Sequence, residues 1–190
     1  MDAEKIVNKI TKEHGTIKNV YFLACGGSLV DLYPGYYFLR AESAVMDAQW
    51  IPAREFALTP PRKLGKDSLL VICSHSGKTK ECLEAAKAGM EAGAAVVTMT
   101  HAPGSACDTD EWISIVYDWA PGVKEAEKPQ GIVLRLLNEL MKIQEPGYGL
   151  YDKIAEGFGK IDEIIAEAVK DQQNAAWLLA EKYSEEPNLY

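Results

Sequence analysis

Leu69-Leu70-Val71-Ile72-Cys73 runs directly into Ser74-His75-Ser76-Gly77-Lys78-Thr79, and a helical pattern opens immediately afterwards. Five consecutive apolar residues without alternation predict a strand covered on both faces, as in a parallel sheet. The small hydroxyl residues and the glycine that follow predict a turn. A strand that breaks into such a turn and then starts a helix is suited to holding an anion. Backbone N–H groups point at the ligand, and the helix dipole favours its negative charge. Ser74, Ser76 and Thr79 add hydroxyl donors.

Working outward, Thr79 to Ala92 reads as a helix with Cys82, Ala85, Ala86, Gly89 and Met90 on one face, stopped by Gly93. Ala95 to Thr100 is the next expected strand, His101 to Ser105 a loop, and Ile113 to Tyr117 a last short strand. Upstream, Asn19 to Cys25 is a second continuous apolar run, and it ends in Gly26-Gly27-Ser28. Residues 3–14 precede it as a short helix with Ile6, Val7 and Ile10 on one face. Leu29 to Arg40 has helical character interrupted at Pro34 and Gly35. Val45 to Ile51 is a weaker strand, and Ala53 to Leu58 a short helix or turn closed by Pro60-Pro61. Beyond the last strand, Gly131 to Ile143 carries an apolar stripe of Ile132, Val133, Leu136, Leu137, Leu140 and Met141. Leu150 to Tyr183 continues a long helical register through Ile154, Phe158, Ile161, Ile164, Ile165, Ala168 and Val169, which Gly157 and Gly159 are expected to bend or divide.

Strands alternating with helices of this length predict an α/β fold built from βαβ units on a mostly parallel sheet of roughly five strands. Ligands of such sheets lie beyond the C-terminal ends of the strands, at the switch point. The two small-residue turns, Cys25 to Ser28 and Ser74 to Thr79, both fall at strand C-termini, and their joint placement carries more weight than either alone.

Bulk properties narrow the partners. The chain has 190 residues, 47% hydrophobic and 25% charged, with a formal net charge of −8. That size supports one domain with a good core, or a domain plus an appendage. The negative charge argues against a nucleic-acid partner held through bulk electrostatics. No apolar run approaches the roughly 18 residues of a membrane helix, and Met1-Asp2-Ala3-Glu4-Lys5 lacks the apolar core of a signal peptide. The four cysteines, Cys25, Cys73, Cys82 and Cys107, form no C-x-x-C pair and are expected as free buried thiols in a reducing cytoplasm.

Other chemistries fit less well. A P-loop would need its first glycine at Ile72, inside the strand, and a dinucleotide fingerprint is missing from Gly26-Gly27-Ser28-Leu29-Val30. Ser74, His75 and Ser76 lack the G-x-S-x-G setting of a hydrolase nucleophile. His75 and His101 both close strands and are placed to meet over the sheet. A zinc site there would need a third ligand, for which Cys107 and Asp108 are nominal candidates, so both histidines are expected as loop residues beside a polar pocket. His14 ends a helix, where it favours the dipole. Trp50, Trp112, Trp119 and Trp177 are scattered and read as core or interface anchors. Glu181, Glu185 and Glu186 read as a solvated helix face.

The two turns together carry a resemblance. Cys25-Gly26-Gly27-Ser28 resembles the C-G-[TS]-S turn of the SIS (sugar isomerase) domain, and Ser74-His75-Ser76-Gly77-Lys78-Thr79 resembles its S-x-S-G-x-T phosphosugar loop. The likeness covers roughly residues 18–145, including a loop with Glu125 and Glu127 after Tyr117, and is greatest for sugar-amine-phosphate deglycases and the isomerase half of glucosamine-6-phosphate synthase. It implies a three-layer α/β/α, flavodoxin-like domain over residues 1–148, with a helical connector over 149–190 leading to a second repeat. Glu186-Pro187-Asn188-Leu189-Tyr190 follows a helical stretch much as Lys18-Asn19-Val20-Tyr21 does. The expectation is therefore a chain cut at the start of that second repeat.

The resemblance also implies roles. Ser74, Ser76 and Thr79, with the amides of His75 to Lys78, would bind the phosphate of a sugar phosphate or sugar-amine phosphate. Gly27 and Ser28 would lie beside the sugar or its phosphate, and Gly26 would permit close backbone approach. His75 would act more through its amide than its ring, and the Lys78 side chain would add charge or face solvent. Gly77 completes the loop. No metal or organic cofactor is implied, because the chemistry is proton transfer through an enediol or enolamine. The catalytic base and the ring-opening group belong to the second repeat in such proteins, so no catalytic residue is assigned, Glu125 and Glu127 included. A non-catalytic phosphosugar sensor is the alternative, though no DNA-binding arm is evident in residues 1–18. SIS domains pair, and the helices at 131–143 and 150–183 are expected to supply apolar surface for a homodimer or higher homo-oligomer.

Overall fold

The continuous apolar runs become the centre of a parallel sheet. In the computed structural model, which describes residues 2–185, β1 (Asn19–Ala24), β3 (Ser68–Cys73) and β4 (Ala95–Thr100) are buried along their whole length. The weaker candidates lie at the edges: β2 (Asp47–Pro52) and β5 (Ile113–Val116), both partly exposed. The order is β2-β1-β3-β4-β5, and every neighbouring pair is parallel. With period-2 side chains, alternate residues of each strand feed opposite cores. Val20, Phe22, Val71 and Val97 join one, with α1 (Ala3–His14), α3 (Tyr33–Glu42) and α6 (Pro129–Gln144). Tyr21, Leu23, Leu70 and Ile72 join the other, with α4 (Ala53–Leu58) and α5 (Lys80–Glu91). The result is a three-layer α/β/α sandwich.

Local chemistry sets the helix limits. Asp2 caps α1 by accepting from the Lys5 amide at 3.0 Å. The segment expected as one interrupted helix divides into α2 (Gly27–Asp31) and α3, with Leu32 as the joint. Pro34 sits in the first turn of α3, where its missing N–H costs nothing. Two expectations are corrected. The apolar stripe of α6 is not free for pairing, because Ile132, Val133, Leu136, Leu137, Leu140 and Met141 are all buried against the sheet and its neighbours. Gly157 and Gly159 do not divide α7 into two elements: it runs unbroken over Tyr151–Lys182. A glycine in a helix costs about 1 kcal/mol, which many turns of continuing hydrogen bonds absorb. The start of α7 is anchored to α6, with Asn138 Nδ2 donating to the Tyr151 carbonyl at 3.1 Å and Arg135 lying over the Phe158 ring. Farther on, Ile164, Val169, Trp177, Leu178 and Leu179 are exposed. The strand entry expected at residues 186–190 lies outside the described residues.

Glu145, just after α6, holds the turn between α3 and β2. Its carboxylate accepts from the Ser43 hydroxyl and from the amides of Ala44 at 3.3 Å and Val45 at 3.0 Å. Replacing Glu145 with Ala leaves these part-buried donors without a partner. We expect Glu145→Ala to lose about 1–3 kcal/mol of stability, read from the urea midpoint at unchanged m-value.

Candidate functional site

Pairing of β1 with β3 brings the two turns together. Ala24 is in register with Cys73, so Cys25 and Ser74 leave the sheet side by side. The chain passes from β1 to β2 on one flank, and from β3 to β4 and β5 on the other. The gap between β1 and β3 is therefore the switch point, where an open α/β sheet receives its ligand.

Each turn has a glycine that no other residue replaces without strain. Gly26 has φ 59° and Gly77 φ 64°. Gly77 is buried, and a Cβ there would run into the Ser105 side chain and lie 2.8 Å from Thr100 Oγ1. Its carbonyl accepts from the Cys107 amide at 3.1 Å, and its amide donates to the Ser74 carbonyl at 2.9 Å. The Ser74 and Thr79 hydroxyls bond each other at 2.8 Å, and Lys78 N donates to Ser76 Oγ at 3.4 Å. Among the described residues the amides of His75, Ser76 and Thr79 have no intramolecular partner. They are available to an anion at the N-terminus of α5.

Of the residues anticipated from sequence, Ser74 is buried, Thr79 and Ser28 are half-buried, and His75, Ser76, Lys78, Gly26 and Gly27 are exposed. His75 and His101 do meet over the sheet. Their rings stack with centroids 4.9 Å apart and planes 16° apart. Tyr117 holds both, with its hydroxyl 3.0 Å from His75 Nδ1 and its carbonyl 3.1 Å from His101 Nδ1. Trp119, 41% exposed, sets its ring edgewise to His75 at 5.7 Å, with the Lys128 ammonium over it at 5.5 Å. Lys128 is also paired with Glu125. Gln130 donates to Asp31 at 2.7 Å. Burial raises the Asp31 carboxyl above its ordinary range, opposed by the nearby His75.

Tyr117, Trp119, Asp31 and Ser105 were not singled out from sequence as site residues. The signal for two of them was the rule that flagged the histidines: Tyr117 and Trp119 follow the C-terminal end of β5, as His101 follows β4. Asp31 and Ser105 gave no local signal. Trp50 and Trp112 are anchors, with their indole N–H groups donating to the Leu29 carbonyl at 2.7 Å and to Thr98 Oγ1 at 3.0 Å. A groove of about 220 Å³ lined by Lys9, Glu13, His14, Asp110 and Trp112 lies at the N-terminal ends of β4 and β5, away from the turns. The thiols of Cys73, Cys82 and Cys107 are buried and pushed up chiefly by that burial, Cys73 to about 12. Among the described residues no group of three or more His, Cys, Asp or Glu is placed to hold a metal ion. No helix among them is long and apolar enough to cross a membrane.

No family profile matches the chain. It is 29% identical over 175 residues to the fructosamine deglycase FrlB of Bacillus subtilis, covering 92% of this chain and 53% of that protein. It is 31% identical over 113 residues to the isomerizing glutamine–fructose-6-phosphate aminotransferase of Clostridium tetani, covering 59% of this chain and 18% of that one. A solved structure assigned to a phosphosugar isomerase of Salmonella typhimurium superposes with a TM-score of 0.88 at 30% identity, covering 97% of this chain and 56% of that chain. The chain thus spans about half the length of the first and last of these.

Gly77→Ala combines a left-handed backbone with a blocked Cβ position. We expect it to lower stability by about 1–3 kcal/mol and to abolish anion binding at the loop, measured by urea unfolding and by phosphate titration of the folded variant.

Proposed function

From the premise that the chain belongs to the SIS (sugar isomerase) domain family, we propose that it grips a sugar phosphate or sugar-amine phosphate for a phosphosugar isomerase or deglycase. The observation that carries this is the adjacency of two glycine- and hydroxyl-bearing turns at the β1–β3 switch point. In this reading the free amides of His75, Ser76 and Thr79, with the hydroxyls of Ser74, Ser76 and Thr79, take the phosphate. Gly26, Gly27 and Ser28 flank the sugar. Lys78 projects to solvent, and Gly77 shapes the loop. Residues 1–148 act as the sugar-phosphate domain, and α7 after it as a helical connector.

The chemistry follows from the grip. Isomerisation of a sugar, or cleavage of a sugar–amine adduct, requires ring opening and removal of a proton next to the carbonyl. Phosphate binding energy fixes the reacting carbons against the base that removes it. These two turns hold the substrate, and proton transfer falls to a companion repeat. Buried free thiols suit a reducing cytoplasm.

The exposed apolar residues of α7 support a homodimer or higher homo-oligomer. Two measurements test the proposal. Calorimetric titration with sugar phosphates should show binding that is lost in the double variant Ser76→Ala, Thr79→Ala. Failure of every sugar phosphate and of inorganic phosphate to bind the unaltered protein refutes the site. Light scattering at high concentration should give at least a dimeric mass, and a monomeric mass refutes the assembly.

A further inference from the structure

Resting on the phosphosugar reading above, we propose that Tyr117 is a positioning residue that fixes opposite tautomers in the stacked pair: His75 presents its Nε2–H to the phosphate ester, and His101 presents its Nε2 lone pair to a sugar hydroxyl. The His101 half follows from valence. A backbone carbonyl only accepts, so the 3.1 Å contact between His101 Nδ1 and the Tyr117 oxygen requires the proton on Nδ1. A neutral imidazole then has its lone pair on Nε2.

The His75 half turns on the direction of one hydrogen bond. Tyr117 is 5% exposed, and burial drives its phenol far above its ordinary range, so the hydroxyl keeps its proton. That proton has two acceptors: His75 Nδ1 at 3.0 Å and Cys73 Sγ at 4.0 Å. A nitrogen lone pair at normal distance outcompetes a thiol sulfur at long distance. The phenol therefore donates to Nδ1, and His75 carries its own proton on Nε2. Cys73, held as a thiol, donates its S–H toward the phenol oxygen and completes a chain from thiol to phenol to imidazole. The rest of His75 is fixed too. Its carbonyl accepts from the His101 amide at 3.2 Å and the Thr100 hydroxyl at 3.4 Å, and Trp119 stands edgewise against the ring.

Both Nδ1 atoms are thus engaged by one residue, and both Nε2 atoms lie on the sides of the rings away from it. A donor beside an acceptor suits a hydroxylated phosphate ester, whose phosphate oxygen accepts from His75 while a hydroxyl donates to His101. Inorganic phosphate dianion, HPO4²⁻, has a single P–OH on the anion itself and no sugar hydroxyl beside it, so it gains less from the His101 lone pair. The geometry therefore makes Tyr117 and His101 contributors to selectivity, and gives the His75 ring a role beyond that of its amide.

The test is nitrogen NMR of the histidine rings in the full chain, at pH about 8.5, where an ordinary imidazole is neutral. The expected result is protonated Nε2 with bare Nδ1 in His75, and the reverse in His101. Tyr117→Phe keeps the aromatic volume and the main-chain carbonyl. It should redistribute the His75 tautomers, leave those of His101 unchanged, and weaken fructose 6-phosphate binding about five- to tenfold, the effect of one lost hydrogen bond. His101→Phe should reduce the preference for fructose 6-phosphate over inorganic phosphate. A proton on Nδ1 of neutral His75, or unchanged affinity in Tyr117→Phe, overturns the inference. If the unaltered protein binds neither probe, the phosphosugar reading fails, and the ring spectra still decide the tautomer assignment separately.

Discussion

Parallel pairing of β1 with β3 is the constraint on which the rest of the site depends. It sets two turns, far apart in sequence, at one height above the sheet, with Ala24 opposite Cys73. It also places them where the connections diverge to opposite flanks, which opens a crevice instead of a packed edge. The pairing is held by burial on both faces. A slip of one residue would exchange Val20 and Phe22 with Tyr21 and Leu23 between two different cores, at a cost spread over the whole strand. The register of the site is thus specified by residues that never reach it.

The floor beneath the Ser74–Thr79 loop is fixed by β4 and the segment after it. One carbonyl, that of Cys107, accepts from the Thr98 hydroxyl at 2.6 Å, the Trp112 indole at 3.1 Å and the Ser114 hydroxyl at 3.2 Å. With that carbonyl held three ways, the Cys107 amide is aimed at Gly77. The Ser105 side chain fills the space where a Cβ at Gly77 would go. The loop is therefore shaped before any ligand arrives, and binding need not supply the entropy of ordering it.

Much of this was legible in the sequence, for physical reasons. Strands covered on both faces show as unbroken apolar runs, so Asn19–Ala24, Ser68–Cys73 and Ala95–Thr100 could be read almost to the residue. Turns that need a positive φ show as glycine. The stripe on α6 is plainly apolar in sequence, but amphipathicity does not say what covers a helix, and here the sheet does. The polar surround of the loop was the least visible part. His75 meets Tyr117 across 42 positions and Asp31 meets Gln130 across 99. Such contacts are consequences of strand order, which pattern alone leaves open. His75 and His101 were within reach only because both close strands.

The charge balance explains why the cradle is built from short-range contacts. The protein carries a net charge of −8, so its far field repels a phosphate dianion. Lys78 is exposed, and Lys128 is already paired with Glu125. What remains at the loop is directional: free amides and hydroxyls. Such donors are effective only at hydrogen-bonding distance and in fixed orientation, because water competes for each of them. A grip of this kind discriminates by geometry in a way that a cluster of lysines cannot. On the proposed function, it would tell an ester from free phosphate through the groups beside the anion, and its affinity would depend less on ionic strength than that of a basic patch. The same requirement for fixed orientation accounts for the tethers behind the loop: Gly77 against Ser105, Ser74 against Thr79, and both imidazoles against Tyr117.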